Sequence, residues 1–256
     1  MKIPKFIVII GLIAVFIFSG SVLADTYIEM VTHTDGFQMM GQEQPPQYDT
    51  IAMWLGDGVA RSYNKEGSIL IDSKKEMIYL IDDDKKAYNE VSFDILGDMK
   101  KMMGLDQMEA EEAEMMEQQM QMMMAMMQIS ATVTPTDETR EIKGYNCKKY
   151  LVNMQLSMAN VKADYWVSKD IDINYDAFKK LNLSKMLFMP GADKVIDEFA
   201  KIDGFMVYSE GTTNIMGTDV KSTTELIKAE NKNAPAGTFE IPKGYKKEVL
   251  KPMGEE

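Results

Sequence analysis

The residues best equipped for chemistry cluster in EMMEQQMQMMMAMMQ, Glu114 to Gln128, which holds eight of the chain's 25 methionines. Thioether sulfur is a soft ligand suited to Cu(I) or Ag(I). It is also polarisable and carried on an unbranched chain, so it packs against apolar partners of variable shape. At about 100° per residue, Met116, Met120, Met123, Met124 and Met127 fall on one side of a helix, flanked by Met115, Met122 and Met126. The Glu and Gln residues, apart from Gln119, fill the opposite arc. A soft metal would use Met120, Met123 and Met127, but a stripe spreads sulfurs along an axis, whereas a site gathers three or four at one point. The pattern predicts an amphipathic helix whose thioether face serves as core, as an adaptable apolar surface, or as a Cu(I)/Ag(I) binder.

Other reactive residue types are sparse. His33 is the only histidine and has no Ser, Cys or carboxylate beside it in a nucleophile motif. Cys147 is the only cysteine, so no internal disulfide forms, and its strand setting reads as a buried thiol. IDDDKK and SKDIDIN lack the Asp-x-Asp-x-Asp-Gly order and distal Glu of a calcium loop. There is no Gly-rich phosphate loop and no paired-His or paired-Cys zinc pattern. The expectation is a non-enzyme without a cofactor.

The elements that would position these residues begin after MKIPKFIVIIGLIAVFIFSGSVLA. Lys2 and Lys5, an apolar run and a small-residue exit have the order of a secretory signal peptide, with cleavage expected after Ala24. That predicts a periplasmic or secreted protein with no membrane span after cleavage. Removing Lys2 and Lys5 from 28 basic residues, against 40 acidic ones, leaves a net charge of −14. Such a charge repels polyphosphates and argues against nucleic acid as a partner.

From Asp25 to Glu256 the pattern is read as a single domain in three parts and a tail. A β meander occupies 26–93, a Met-rich helical insert 94–128, a second β-rich half 129–250 and a short polar tail 251–256. In the meander, Pro45-Pro46 interrupts, and short β-prone runs alternate with polar turns. In EMIYLID, Met77, Tyr79 and Ile81 face one way and Ile78 and Leu80 the other, which predicts a central strand covered on both sides. Two shorter helices are expected, from Asn174 to Phe188 and from Ala192 to Ile202, the latter stopped by Gly204. Strands return in GFMVYSE, TTNIM, VKSTTELIKAE and a final GTFEIP-KGY. The fold class is α+β, mainly β: a curved antiparallel sheet or incomplete barrel with helices covering one side.

In TREIKGYNCKKYLVNMQL and DYWVSKDI the chain resembles an exported bacterial family known as domain of unknown function 4412. The matching residues are Gly144, Tyr145, Cys147 and Tyr150, then Trp166, Val167, Ser168, Asp170 and Ile171. Lys86 to Tyr88 and the Met- and Glu-rich insert also fit. The closing Phe239, Ile241, Pro242, Gly244 and Tyr245 belong to a wider set. That set is similar to periplasmic lipoprotein carriers of the LolA/LolB type, and this similarity implies an incomplete barrel whose concave apolar face holds acyl chains.

Together these readings predict a binding protein for an apolar, lipid-like ligand or an envelope partner, held under the Met helix as a lid. The expected lining is Met116, Met120, Met123, Met124 and Met127, with Trp54, Tyr79 and Trp166 on the sheet. The alternatives are a Cu(I)/Ag(I) binder and a structural module of the cell envelope.

Overall fold

The computed structural model describes residues 16–17, 25–39, 41–65, 67–102, 105, 108–126, 128–156, 159–173 and 190–248. Its strands are β1 (Phe16–Ile17), β2 (Thr26–Thr34), β3 (Phe37–Met39), β4 (Gln42–Gln44), β5 (Gln47–Gly56), β6 (Val59–Asn64), β7 (Gly67–Asp72), β8 (Met77–Asp82) and β9 (Ala87–Ser92). After α1 (Ile95–Met102) and α2 (Ala110–Met126) come β10 (Ser130–Ile142), β11 (Tyr145–Leu156) and β12 (Ala159–Ser168). Then follow α3 (Ala192–Phe199), β13 (Gly204–Ile215), β14 (Thr218–Asn231) and β15 (Lys246–Lys247). One large sheet runs in the order β10-β11-β12-β13-β14-β2-β5-β6-β7-β8-β9-β15, with β1 alongside β13. It is curved and stays open, with β3 and β4 forming a separate small hairpin.

Neighbouring strands are antiparallel except for the short β15, which runs parallel to β9. The turns follow from residue type. Lys143 and Gly144 both have positive φ, 53° and 83°, which suits a tight two-residue hairpin between β10 and β11. Asp72 closes the β7–β8 turn by accepting hydrogen bonds from the Lys74 and Lys75 amides, both at 3.1 Å. The two halves of the chain meet where β2 pairs with β14. Asp25 secures that seam, accepting the Lys232 amide on its carbonyl and the Ala234 amide on its carboxylate.

Directly opposed residues in an antiparallel pair share a face, so the register sorts side chains into two faces. On the inner face, one rung runs Ile28, Met53, Ser62, Ile69, Leu80 and Asn89 from β2 to β9. The next runs Thr26, Leu55, Ala60, Ile71, Ile78 and Val91. The main core lies on this face, where Val195 and Phe199 of α3 join Val133, Tyr150, Val152 and Tyr165. A second, smaller core lies on the outer face of β7 and β8, where Leu70, Tyr79 and Ile81 pack with Phe239, Ile241 and Tyr245.

Four details differ from the sequence reading. The strand Met77–Asp82 has the predicted alternation but is not central: only β9 and the two-residue β15 lie beyond it. Its second apolar face is half-buried, with Ile78 and Leu80 in the inner rungs. GFMVYSE and TTNIM form one continuous strand, β13. The closing GTFEIP segment is no strand. It turns repeatedly, through Thr238 to Pro235, Glu240 to Gly237 and Tyr245 to Pro242 hydrogen bonds, because Pro242 lacks the amide a ladder needs. Gly204 opens β13 rather than stopping α3, which ends at Phe199. With φ at 133°, a Cβ there would stand 2.6 Å from the Ser168 carbonyl oxygen, so close approach to β12 requires glycine. The helix expected from Asn174 to Phe188 lies outside the described residues.

The closing segment is a strap, and Arg61 holds it. This guanidinium is 4% exposed, bonds the Ser68 hydroxyl, and donates to the backbone oxygens of Thr238 (3.2 Å) and Glu240 (2.8 Å). Removing it leaves buried acceptors unsatisfied, so Arg61→Met should lower unfolding stability by about 3 kcal/mol, read by urea denaturation. Burial works to raise the Asp72 carboxyl, but hydrogen bonds and charge from Lys75 and the Lys74 amide outweigh it, so it titrates below its ordinary value. Its stabilisation is present above the unfolded carboxylate value and is lost as pH falls through the depressed folded value. Asp72→Asn should therefore cost stability at pH 7, with the gap to the native protein closing in strong acid.

Candidate apolar binding face

The inner rungs change character along their length. Ile28, Met53, Thr26, Leu55 and Ala60 are buried under the main core. Past them, Ile69 and Ile71 on β7, Ile78 and Leu80 on β8, and Val91 on β9 are only half-buried. Ile71, Ile78 and Val91 continue the face directly from Leu55 and Ala60, Ile69 and Leu80 continue it beyond Ser62, and Ile71 still packs against the main core. The inner side is therefore mainly apolar from β2 to β9, broken by Ser62 on β6 and ended by Asn89 on β9, while full burial ends at about β6. Uncovered aliphatic surface costs roughly 25 cal/mol per Å², so a strip of this kind favours an occupant.

The helical insert follows β9, the strand that carries Val91. The insert leaves β9 near one end of the sheet order and rejoins the chain at β10, the other end. Asp94 starts α1 by accepting the Gly97 amide, and the Asp98 carboxylate accepts both the amide and the hydroxyl of Ser92, which fixes α1 against β9. A 2.6 Å ion pair from Lys100 to Glu117 ties α2 to α1. Ala, Glu, Gln and Met favour the helix, and Glu111 and Glu112 suit its first turn. Within α2, Met116 is half-buried, while Met115 and Met122 are 58% and 63% exposed. Glu117 beside it is half-buried as well, and Gln119 is exposed. The side chains of Met120, Met123, Met124 and Met127 lie outside the described residues.

The three sheet aromatics sit on the outer face and in separate places. Trp54 stands 5.0 Å from Tyr27, ring to ring, with the Lys232 ammonium 5.2 Å above it. Tyr79 belongs to the core beneath the strap. Trp166 lies under the Arg140 guanidinium at 3.9 Å. All three are buried. Ile69, Ile71, Ile78, Leu80 and Val91 lie together on three adjacent strands, as the aromatics do not, and Ile78 and Leu80 are readable from the alternation in EMIYLID.

Polar side chains gather at the start of β11. A cavity of about 390 Å³ there is lined by Arg140, Cys147, Lys148, Tyr150, Lys169 and Asp170 among others. The Cys147 thiol is 1% exposed and donates to the Tyr145 carbonyl at 3.5 Å. Burial pushes it up to about 11, although Arg140 opposes this. A protonated, enclosed thiol is a packing group and not a nucleophile. Among the described residues no group of three or more His, Cys, Asp or Glu could hold a metal ion.

Residues 130–245 match the family model described as Domain of unknown function (DUF4412). The second half of the chain thus bears the DUF4412 pattern. The matched segment holds β10 to β14, α3 and most of the strap, including Cys147, Trp166 and the closing Phe239 to Tyr245. The meander and the Met-rich insert lie outside it. No curated protein matches the chain. Among solved structures, the chain is 13% identical to PNGF-II at a TM-score of 0.35, over 89% of this chain but 31% of that one. It is 7% identical to a putative outer membrane lipoprotein-sorting protein domain from Vibrio parahaemolyticus at a TM-score of 0.31, over 84% of this chain and 89% of that one. Among the described residues no helix is long and apolar enough to cross a membrane.

Cys147 provides a direct check on this DUF4412 segment. Its alkylation by a maleimide at pH 7.5 should run on the order of a hundredfold slower than that of a free thiol, and denaturant should remove the difference. Fast labelling of the folded protein would contradict the buried geometry.

Proposed function

We propose that this chain is an exported, non-enzymatic binding protein that holds an apolar, chain-like ligand on the inner face of β7 to β9. The observation that carries this reading is the fall in burial along the inner rungs, from fully covered at Ile28, Met53, Leu55 and Ala60 to half-covered at Ile69, Ile71, Ile78, Leu80 and Val91, with Ser62 the polar residue between. An aliphatic strip offers area without directional bonds, which suits an acyl chain or similar flexible ligand better than a polar metabolite. The insert between β9 and β10 supplies the cover. Its thioethers re-pack around an occupant of variable shape, and its anchorage to β9 through α1 keeps it beside the strip. The basic, apolar and small-residue order of residues 1–24 supports an exported location.

The test is native mass spectrometry of the purified protein after incubation with an extracted lipid pool, beside titration with a fluorescent apolar probe. Retained acyl-chain mass and saturable probe binding are expected. Leu80→Asp and Ile78→Asp should each weaken the probe at least tenfold while shifting the unfolding midpoint little, because both positions are half-solvated already. If neither lipid nor probe binds the unaltered protein, or both variants bind as well as it does, the proposal fails.

A further inference from the structure

The chain has two arginines, and the fold treats them differently. Arg61 is buried, with its donors met by Ser68, Thr238 and Glu240. Arg140, near the end of β10, forms no ion pair and donates no hydrogen bond among the described residues. Its guanidinium carbon instead stands 3.9 Å from the centre of the Trp166 ring and 5.3 Å from that of Tyr208. The register brings these groups together. Trp166 stands opposite Tyr208 on one side and Lys149 on the other. Cys147, opposite Arg140, points to the same side as Lys149 two residues on. Arg140 therefore reaches across β11 to rest on both rings. Such stacking fixes the planar fork and leaves its N–H donors unspent.

Two further donors stand nearby without acceptors. Trp166 is 6% exposed, and its indole N–H, in the ring beneath Arg140, has no hydrogen-bond partner. Among the described residues no other buried side-chain polar atom is left so. A buried donor left unmet is rare, and it marks strain, function or a bound acceptor. Lys148, next to Cys147, likewise forms no ion pair among the described residues and lies 5.9 Å from the Tyr150 ring centre. Arg140 and Lys148 both line the cavity of about 390 Å³ at the start of β11, with Tyr150 and Val167 beside them. Glu141, Asp170 and Asp203 line it too. Of these, Asp203 pairs with Lys169, and Asp170 accepts the Asn146 amide at 3.4 Å.

We infer that this cavity is a binding site for a small organic carboxylate, held bidentately by the Arg140 guanidinium. A preset fork matches the two oxygens of a carboxylate, and charge-assisted pairs of this kind are the strong ones. The Lys148 ammonium adds attraction. The acidic residues of the wall select against multiply charged ligands, since Glu141 and Asp170 repel a phosphate dianion more than a single negative charge. The chain's net charge of −12 acts the same way. A volume of about 390 Å³ admits a body of several carbons, and Tyr150 and Val167 offer it apolar contact. The site lies on β10 to β12, apart from the Ile69–Val91 strip on β7 to β9, and does not depend on a ligand there.

Trp54→Phe leaves Trp166 the only tryptophan, so its emission reports on the site. Titration of that chain with cyclohexanecarboxylate or hexanoate at neutral pH should give a saturable change in emission, with matching heats by calorimetry. Cyclohexanecarboxamide, which keeps the shape without the charge, should bind about tenfold more weakly or not at all. Inorganic phosphate should bind more weakly than either carboxylate. Arg140→Gln should weaken carboxylate binding about tenfold, and Arg140→Lys, which keeps the charge without the fork, should fall between. The site is overturned if neither carboxylate saturates, if the amide or phosphate binds as well as the acid, or if either Arg140 variant matches the unaltered residue. Should a variant fail to fold, the comparison of acid with amide on the chain with Arg140 intact decides alone. Leu80→Asp should leave carboxylate affinity unchanged. A loss there would place the ligand on the inner strip and refute the cavity site.

Discussion

A sheet this wide, apolar on both sides for part of its width, must be covered twice. The alternation of side chains along each strand makes that requirement unavoidable, since Tyr79 and Leu80 cannot be hidden by the same neighbour. The protein meets it with different material on each side. The inner face receives α3 and the chain around it, and the outer face of β7 and β8 receives the strap held by Arg61. Among the described residues, cover over the inner apolar rungs thins toward β9, and the functional reading follows from that thinning.

Electrostatics plays a supporting part. The ion pairs in the turns, such as Lys74 with Asp57 and Lys85 with Asp82, are largely exposed and contribute little each. The charged groups that matter lie where backbone would otherwise go unsatisfied. Arg61 serves two strap carbonyls, Lys143 serves Leu226, and Glu198 of α3 accepts the Val133 amide at the end strand β10. In each case a side chain substitutes for a missing strand, which is how an open sheet avoids leaving unpaired polar groups in its interior.

Much of the β architecture could be read from the chain because short strands and polar turns leave local marks. The meander, the Lys143–Gly144 turn and the α3 stripe of Val195 and Phe199 all carry such marks. What escaped was non-local. Nothing near Met77 says how many strands lie beyond it, and nothing in GTFEIP distinguishes a strand from an extended strap that packs the same side chains. The inner strip was half legible, since Ile78 and Leu80 betray a second apolar face but not its partial cover. Trp54, Tyr79 and Trp166 looked like lining because large aromatics often are. The register puts Trp54 and Tyr79 on one outer rung, on the side opposite the inner strip, and a register is a long-range property that residue types alone do not encode.

The seam between β2 and β14 also sets the order in which the molecule can be built. Thr26 and Asn231 share a side-chain hydrogen bond across 205 positions of sequence, and Asp25 meets Ala234 across 209. Closing so long a loop carries an entropic cost that only completed neighbouring structure repays. While the chain is being synthesised, β2 has β5 on one side and an open edge on the other until nearly the whole polypeptide has emerged. The complete native sheet is thus inaccessible to a chain that lacks its last strands.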